Sequence, residues 1–123
     1  MDKYQSAVIV FAHGSRDGRW REPVEAVARR MVALTPGLAV ACAYLEFVTP
    51  DLKSAAERLI AEGARSVHVV PLFLGMGKHV REDLPQLLDE LRDAHSGVDF
   101  TLAPAVGERP EVIDLLARIA LPP

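Results

Sequence analysis

A three-layer α/β/α sandwich around a four-stranded parallel sheet is the fold this sequence predicts, and three observations predict it. Four short apolar runs alternate with four segments of helical period, the pattern that right-handed βαβ crossovers impose on a parallel sheet. The first and third runs stop abruptly in glycine-bearing loops, as buried parallel strands do. Half of the 123 residues are hydrophobic and a quarter are charged, so the chain has enough apolar surface for one core and is expected to form a single domain over residues 1–123.

The elements follow in order. Ser6 to Ala12 reads as the first strand, with Val8, Ile9 and Val10 at its centre, and a polar loop begins at His13. From about Glu22 the period changes to that of a helix, with Val24, Val27, Met31 and Leu34 on one face. Pro23 suits its first turn and Pro36-Gly37 ends it. Leu38 to Leu45 is the second strand, and Pro50 to Ala61 the second helix, stopping near Gly63. Ser66 to Leu74 is a valine-rich third strand, after which Val80, Leu84, Leu87, Leu88 and Leu91 form a helical stripe. Thr49 before Pro50, and Glu82 and Asp83 after Val80, fit the capping and dipole preferences of helix starts. Asp99 to Val106 is the fourth strand and Pro110 to Ile119 the closing helix.

In open parallel sheets, ligands sit beyond the carboxyl ends of the strands where the strand order reverses. With the flavodoxin-like order 2-1-3-4, that point lies between strands one and three. The loops there are His13-Gly14-Ser15-Arg16-Asp17 and Gly75-Met76-Gly77-Lys78-His79, and each supplies a histidine. Read alone, His13 is equally a strand-end histidine donating to a carbonyl, and His79 a helix-entry residue. Two imidazoles on facing loops are more specific, because imidazole suits cobalt, nickel, iron and zinc. Glu46, at the end of the second strand, is a candidate carboxylate ligand or proton acceptor, or a solvated loop residue.

Gly14 and Ser15 offer backbone N–H groups to an anion, and Gly75 and Gly77 let a ligand approach the backbone. Arg16, Arg19, Arg21, Lys78 and Arg81 concentrate positive charge there, suited to a ligand bearing several carboxylates or phosphates. Trp20 is either an apolar wall of that cleft or a cover for the first helix. His68, inside the third strand, and His95, near the end of the third helix, read as structural.

Composition excludes several classes. A formal net charge of −3 gives no global attraction to nucleic acid. The single cysteine, Cys42, excludes an intrachain disulfide and a cysteine-held zinc or iron–sulfur site. The start Met1-Asp2-Lys3-Tyr4 carries no secretory pattern, no apolar run approaches the ~20 residues that cross a bilayer, and a cytoplasmic setting is expected.

The segments Ala12-His13-Gly14-Ser15-Arg16-Asp17 and Pro71-Leu72-Phe73-Leu74-Gly75-Met76-Gly77-Lys78-His79-Val80-Arg81-Glu82-Asp83-Leu84-Pro85, with Leu45-Glu46 after the second strand, resemble the sirohydrochlorin cobaltochelatase family. The chain looks like the small form, one chelatase-like domain where larger relatives have two. The resemblance implies a class II chelatase that inserts a divalent metal, Co²⁺ ahead of Ni²⁺ or Fe²⁺, into sirohydrochlorin without ATP and with no tightly bound cofactor. The lack of a Walker sequence agrees with this. His13 and His79 match the family's metal-binding and catalytic histidines, and Leu45-Glu46 matches its pattern of leucine-glutamate after strand two, with Glu46 taken as a third catalytic candidate. The carboxylates of the macrocycle suit Gly14, Ser15, Arg16, Gly77, Lys78 and Arg81 as anchors. Small forms work as homodimers, so a second copy is expected to complete the cleft. Two other readings use the same residues: a non-catalytic metal or tetrapyrrole carrier, and a phosphate-ester hydrolase with a phosphohistidine intermediate. The second is weakened because no arginine immediately precedes His13.

Overall fold

A computed structural model describes residues 6–123. The reading of Met1–Tyr4 lies outside the described residues. The elements run β1 (Ser6–Ala12), a 3-10 turn (Gly18–Arg21), α1 (Glu22–Leu34), β2 (Ala39–Tyr44), α2 (Leu52–Ala61), β3 (Ser66–Pro71), α3 (Lys78–Ala94), β4 (Asp99–Leu102), a second 3-10 turn (Val106–Glu108) and α4 (Pro110–Ala120). All strand pairs are parallel and the order is β2-β1-β3-β4, so the reversal falls between β1 and β3 as expected.

Alternation along the strands divides the core between two faces. On one face Ile9 and Phe11 of β1, Ala43 of β2, and Val67 and Val69 of β3 pack with Leu59 of α2 and Leu84, Leu88 and Leu91 of α3. On the other, Val10, Ala12 and Tyr44 pack with Val24 of α1. Ile9, Val67, Val69 and Leu88 are fully buried, each contributing about 1.5–3 kcal/mol relative to exposure. The sheet therefore has a complete helical layer on the α2–α3 side. α1 lies on the opposite face over β1 and β2, which gives the expected three layers, while α4 buries no residue and packs chiefly on the 3-10 turn before it.

Every strand after the first is shorter than its apolar run predicts, because the last residues of each run form the loops of the working edge. β2 ends at Tyr44 rather than Leu45 since Phe47 turns with φ +68°. β3 ends at Pro71 rather than Leu74. Leu72 still donates to the Phe11 carbonyl at 2.7 Å, and the chain then leaves the sheet. β4 ends at Leu102 rather than Val106, as Pro104 removes the donor a longer ladder needs. Two helix starts also differ. Asp51, not Thr49, caps α2, its carboxylate accepting from the Ser54 N–H at 2.8 Å. Because α3 begins at Lys78, Glu82 and Asp83 lie beyond its first turn, which holds no acidic residue.

Candidate functional site

Strand register brings three loops to one edge of the sheet. Ala12 is level with Tyr44, and Phe11 with Pro71, so the residues that follow each strand emerge side by side. The ladder continues two residues into the β2–α2 loop: Leu45 donates to the Ala12 carbonyl at 2.9 Å and Glu46 to the His13 carbonyl at 3.0 Å. Gly14 then turns with φ +91°, and a β-carbon there would sit 2.0 Å from the Glu46 carbonyl oxygen. Only glycine permits both the left-handed backbone and that approach. The close packing of His13-Gly14 against Glu46 explains why this loop reads as it does in sequence.

His13 itself is exposed, and its imidazole lies against the ring of Phe73, centroids 4.2 Å apart and planes tilted by 33°. Phe73 is buried and meets Phe11 edge-on at 5.8 Å. Glu46 and His79 line one cleft of about 310 Å³, whose apolar wall is Phe11, Leu45, Val80 and Leu84 and whose rim carries Asp83. His79 is the second residue of α3, where the backbone N–H groups have no partner inside the helix. Thus Glu46 is the common neighbour, backbone to His13 and across the cleft from His79. Among the described residues no three His, Cys, Asp or Glu side chains converge as a closed metal cage.

The basic residues divide. Arg16 lies over the exposed Phe47 ring at 4.8 Å, which ties the β1 loop to the β2 loop. Lys78 and Arg81 stand exposed on α3 beside His79 and form no ion pair among the described residues. Arg19 instead pairs with Asp17 at 3.5 Å, and with Trp20 it lines a second groove on the α1 side. Trp20 is therefore not a wall of the histidine cleft. Ser15 accepts from the Asp17 N–H at 3.1 Å, so its hydroxyl shapes the loop. Gly75 and Gly77 face open space, leaving their backbone accessible.

His68 and His95 stand apart from this edge. His68 Nδ1 is 2.6 Å from Thr101 Oγ1, and Nε2 of His95, at the end of α3, is 3.9 Å from a carboxylate oxygen of Glu57 in α2. Sequence reasoning missed Phe73 as the support of His13, Phe47 as the rest for Arg16, and Asp83 on the cleft rim. Phe73 is inside the longer of the two motifs, but nothing in its spacing marks an aromatic ring as a neighbour of a histidine sixty positions earlier.

Glu46 and His79 share one cleft, His13 stands on the neighbouring loop, and the exposed Arg16, Lys78 and Arg81 present positive charge near it. Comparison with known proteins gives the same direction. Sirohydrochlorin cobaltochelatase of Saccharolobus solfataricus is 30% identical over 117 residues, covering 90% of each chain. That of Priestia megaterium is 28% identical over 115 residues, 92% of this chain but 37% of the longer protein. The crystal structure of a cobalamin (vitamin B12) biosynthesis CbiX protein from Marinobacter aquaeolei VT8 superposes with a TM-score of 0.78 at 34% identity, covering 93% of this chain and 92% of that one. The family model described as CbiX matches residues 7–120, and the chain belongs to the CbiX family.

Proposed function

We propose that this chain is a sirohydrochlorin cobaltochelatase, inserting Co²⁺ into the macrocycle without ATP, as a single domain over residues 1–123 that works as a cytoplasmic homodimer. The observation that carries this reading is the meeting of the two histidine-bearing segments with Glu46 at the sheet edge, in a chain with the CbiX family's fold. No described helix is long and apolar enough to cross a membrane, which suits an enzyme acting on a water-soluble, many-carboxylate substrate.

The chemistry asks three things of the site. The ion must shed water, the macrocycle must be held and bent, and two pyrrole N–H protons must leave as two nitrogen–metal bonds form. His13 and His79 replace water on the entering ion through their ring nitrogens and then release the ion to the pyrrole nitrogens. Glu46 accepts the two pyrrole protons in turn and passes each to solvent before taking the next, freeing the imidazole lone pairs for the metal. Arg16, Lys78 and Arg81, with the backbone N–H groups of Gly14, Ser15 and Gly77, hold the peripheral carboxylates. The apolar wall of the cleft receives a face of the ring.

Two imidazoles do not by themselves choose among first-row ions, whose affinities rise along the series whatever the site is for. The test is anaerobic absorbance of sirohydrochlorin with purified protein and Co²⁺, Ni²⁺ or Fe²⁺ in turn, against enzyme-free controls. Accelerated conversion, fastest with Co²⁺, supports the reading. Faster conversion with Fe²⁺ or Ni²⁺ reassigns the metal, and binding without acceleration makes the protein a carrier.

A further inference from the structure

The β3–α3 loop carries Phe73 to His13 with few attachments of its own. β3 ends at Pro71, and Leu72 still pairs with β1 by donating to the Phe11 carbonyl at 2.7 Å. From Phe73 to Met76 the backbone makes one hydrogen bond among the described residues: the Phe73 carbonyl accepts from the Gly107 N–H at 2.9 Å. Side chains beyond Phe73 add little. Leu74 is 74% exposed, Met76 is partly buried against the core, and Gly75 and Gly77 face open space.

The donor of that one bond is built for close approach. Gly107 sits in the 3-10 turn Val106–Glu108, which the Glu108 N–H closes on the Ala105 carbonyl at 3.0 Å. Ala105 is fully buried in the same core cluster as Phe73, and Ala103 donates to the Val69 carbonyl of β3 at 2.9 Å, so the turn is anchored to core and sheet. A β-carbon on Gly107 would lie 2.0 Å from the Leu74 carbonyl oxygen and 2.3 Å from the Leu74 α-carbon. Those are backbone atoms, which cannot swing aside as a flexible side chain does. Unlike Gly14, Gly107 has no left-handed φ, so what it requires is room alone.

We infer that Gly107 is a positioning residue for His13: the β4–α4 turn clamps the Phe73-Leu74 backbone, the clamp sets the Phe73 ring, and the ring sets the imidazole. Phe73 is 2% exposed, meets Phe11 edge-on at 5.8 Å and lies 4.2 Å from His13 by ring centroids. Close-packed rings transmit a displacement of one to the next. No residue of the turn lines the cleft of Glu46 and His79, so its effect on the chemistry runs through Phe73. The consequence for metal insertion rests on the chelatase reading, whereas the linkage from turn to imidazole stands on geometry.

The test is NMR of the histidine ring protons at one fixed pH, assigned with His→Ala variants, beside stopped-flow Co²⁺ insertion and circular dichroism. The variants are G107A; E108P, which removes the N–H that closes the turn; F73L, the reference for loss of the ring; and V98A, a core substitution just before β4 that serves as the stability control. Stacked on Phe73, the His13 ring protons are shielded, and F73L moves them downfield. Folded G107A and E108P are expected to move them the same way while His68 and His95 stay in place. Their kcat should fall by about 10- to 100-fold with KM for sirohydrochlorin unchanged. V98A should lose stability but keep the His13 shifts and kcat of the natural chain. Unmoved His13 resonances in either folded turn variant overturn the inference. So does a moved His13 with full kcat, or failure of both variants to fold, which makes the turn an element of stability alone. A natural chain that inserts no metal overturns the chelatase reading instead, and the His13 shifts then decide the linkage by themselves.

Discussion

His13 from the β1 loop rests on Phe73 from the β3–α3 loop, the two ring centroids 4.2 Å apart, so the loop that leads to His79 also supports the other histidine. Orientation of the imidazole is thus set across the reversal point of the sheet. Phe73→Leu keeps most of the buried volume, at a cost below about 1.5 kcal/mol, but removes the flat face. The expected outcome is a folded protein whose kcat for metal insertion falls by roughly 10- to 100-fold, as misplacement of a reacting group does. Stopped-flow absorbance beside a thermal melt checks both halves. A melt shifted strongly with kcat unchanged would show that Phe73 serves packing only.

The histidines themselves are the direct test of the chemistry. His13→Ala and His79→Ala are both exposed-site substitutions and leave the fold intact. Insertion should drop by about 10²–10⁴ in each, the range that a positioned acid–base or ligand group contributes. Glu46→Gln keeps the backbone bond to His13 and removes only the charge, so it should lower kcat with little change in KM for the metal. Equal turnover in His13→Ala and the natural protein would remove that residue from the mechanism.

Much of this edge was legible from the residues, for a physical reason. Parallel strands buried on both faces leave uninterrupted apolar runs, and their ends are marked where glycine and polar residues must begin. Ser6–Ala12 is therefore read correctly to the residue, and His13 falls at its end. The runs of β3 and β4 continue past the sheet because Phe73 and Ala105 are buried under the loops rather than in strands. Apolar character reports burial, not backbone conformation. For the same reason the stripe of α4 predicts a covered helix, whereas Leu115, Leu116 and Ile119 are exposed.

Gly14→Ala isolates the contact between the first two loops. The β-carbon would meet the Glu46 carbonyl oxygen at 2.0 Å in a backbone that L-residues disfavour, so either loop must move. Destabilisation of about 1–3 kcal/mol is expected from the backbone alone, together with loss of insertion. Gly77→Ala, facing open space with an ordinary backbone, is the control and should melt as the natural protein does.

Anchoring by charge has a salt signature. If Arg16 and Arg81 bind the macrocycle's carboxylates, R16A/R81A raises KM for sirohydrochlorin, and KM of the natural protein rises with ionic strength more steeply than that of the variant. Each charge-assisted bond is worth about 1.5–3 kcal/mol, so the double variant should lose at least tenfold in affinity. Arg16→Lys should retain part of the effect, although it weakens the contact with Phe47 that holds the guanidinium in place. Unchanged affinity measured by fluorescence quenching of the macrocycle would leave these residues as ordinary surface.

The start of α2 predicts a pH dependence that is independent of catalysis. Hydrogen bonds from Ser54, first its backbone N–H and then its side chain, hold the Asp51 carboxyl below its ordinary value of 3.8. A group whose pKa is lower in the folded state stabilises the fold fully above the unfolded value, and that contribution disappears as pH falls through the folded value. Asp51→Ala should therefore cost about 1 kcal/mol near neutral pH, the usual worth of an N-cap. The gap between variant and natural protein should stay constant from pH 8 down to about pH 5 and then close as the natural protein's cap is protonated. Urea titrations at stepped pH measure it directly. A gap that remained constant below the ordinary carboxylate range would mean that the cap acts through its shape and neutral hydrogen bond, and that its charge at the head of the helix contributes nothing.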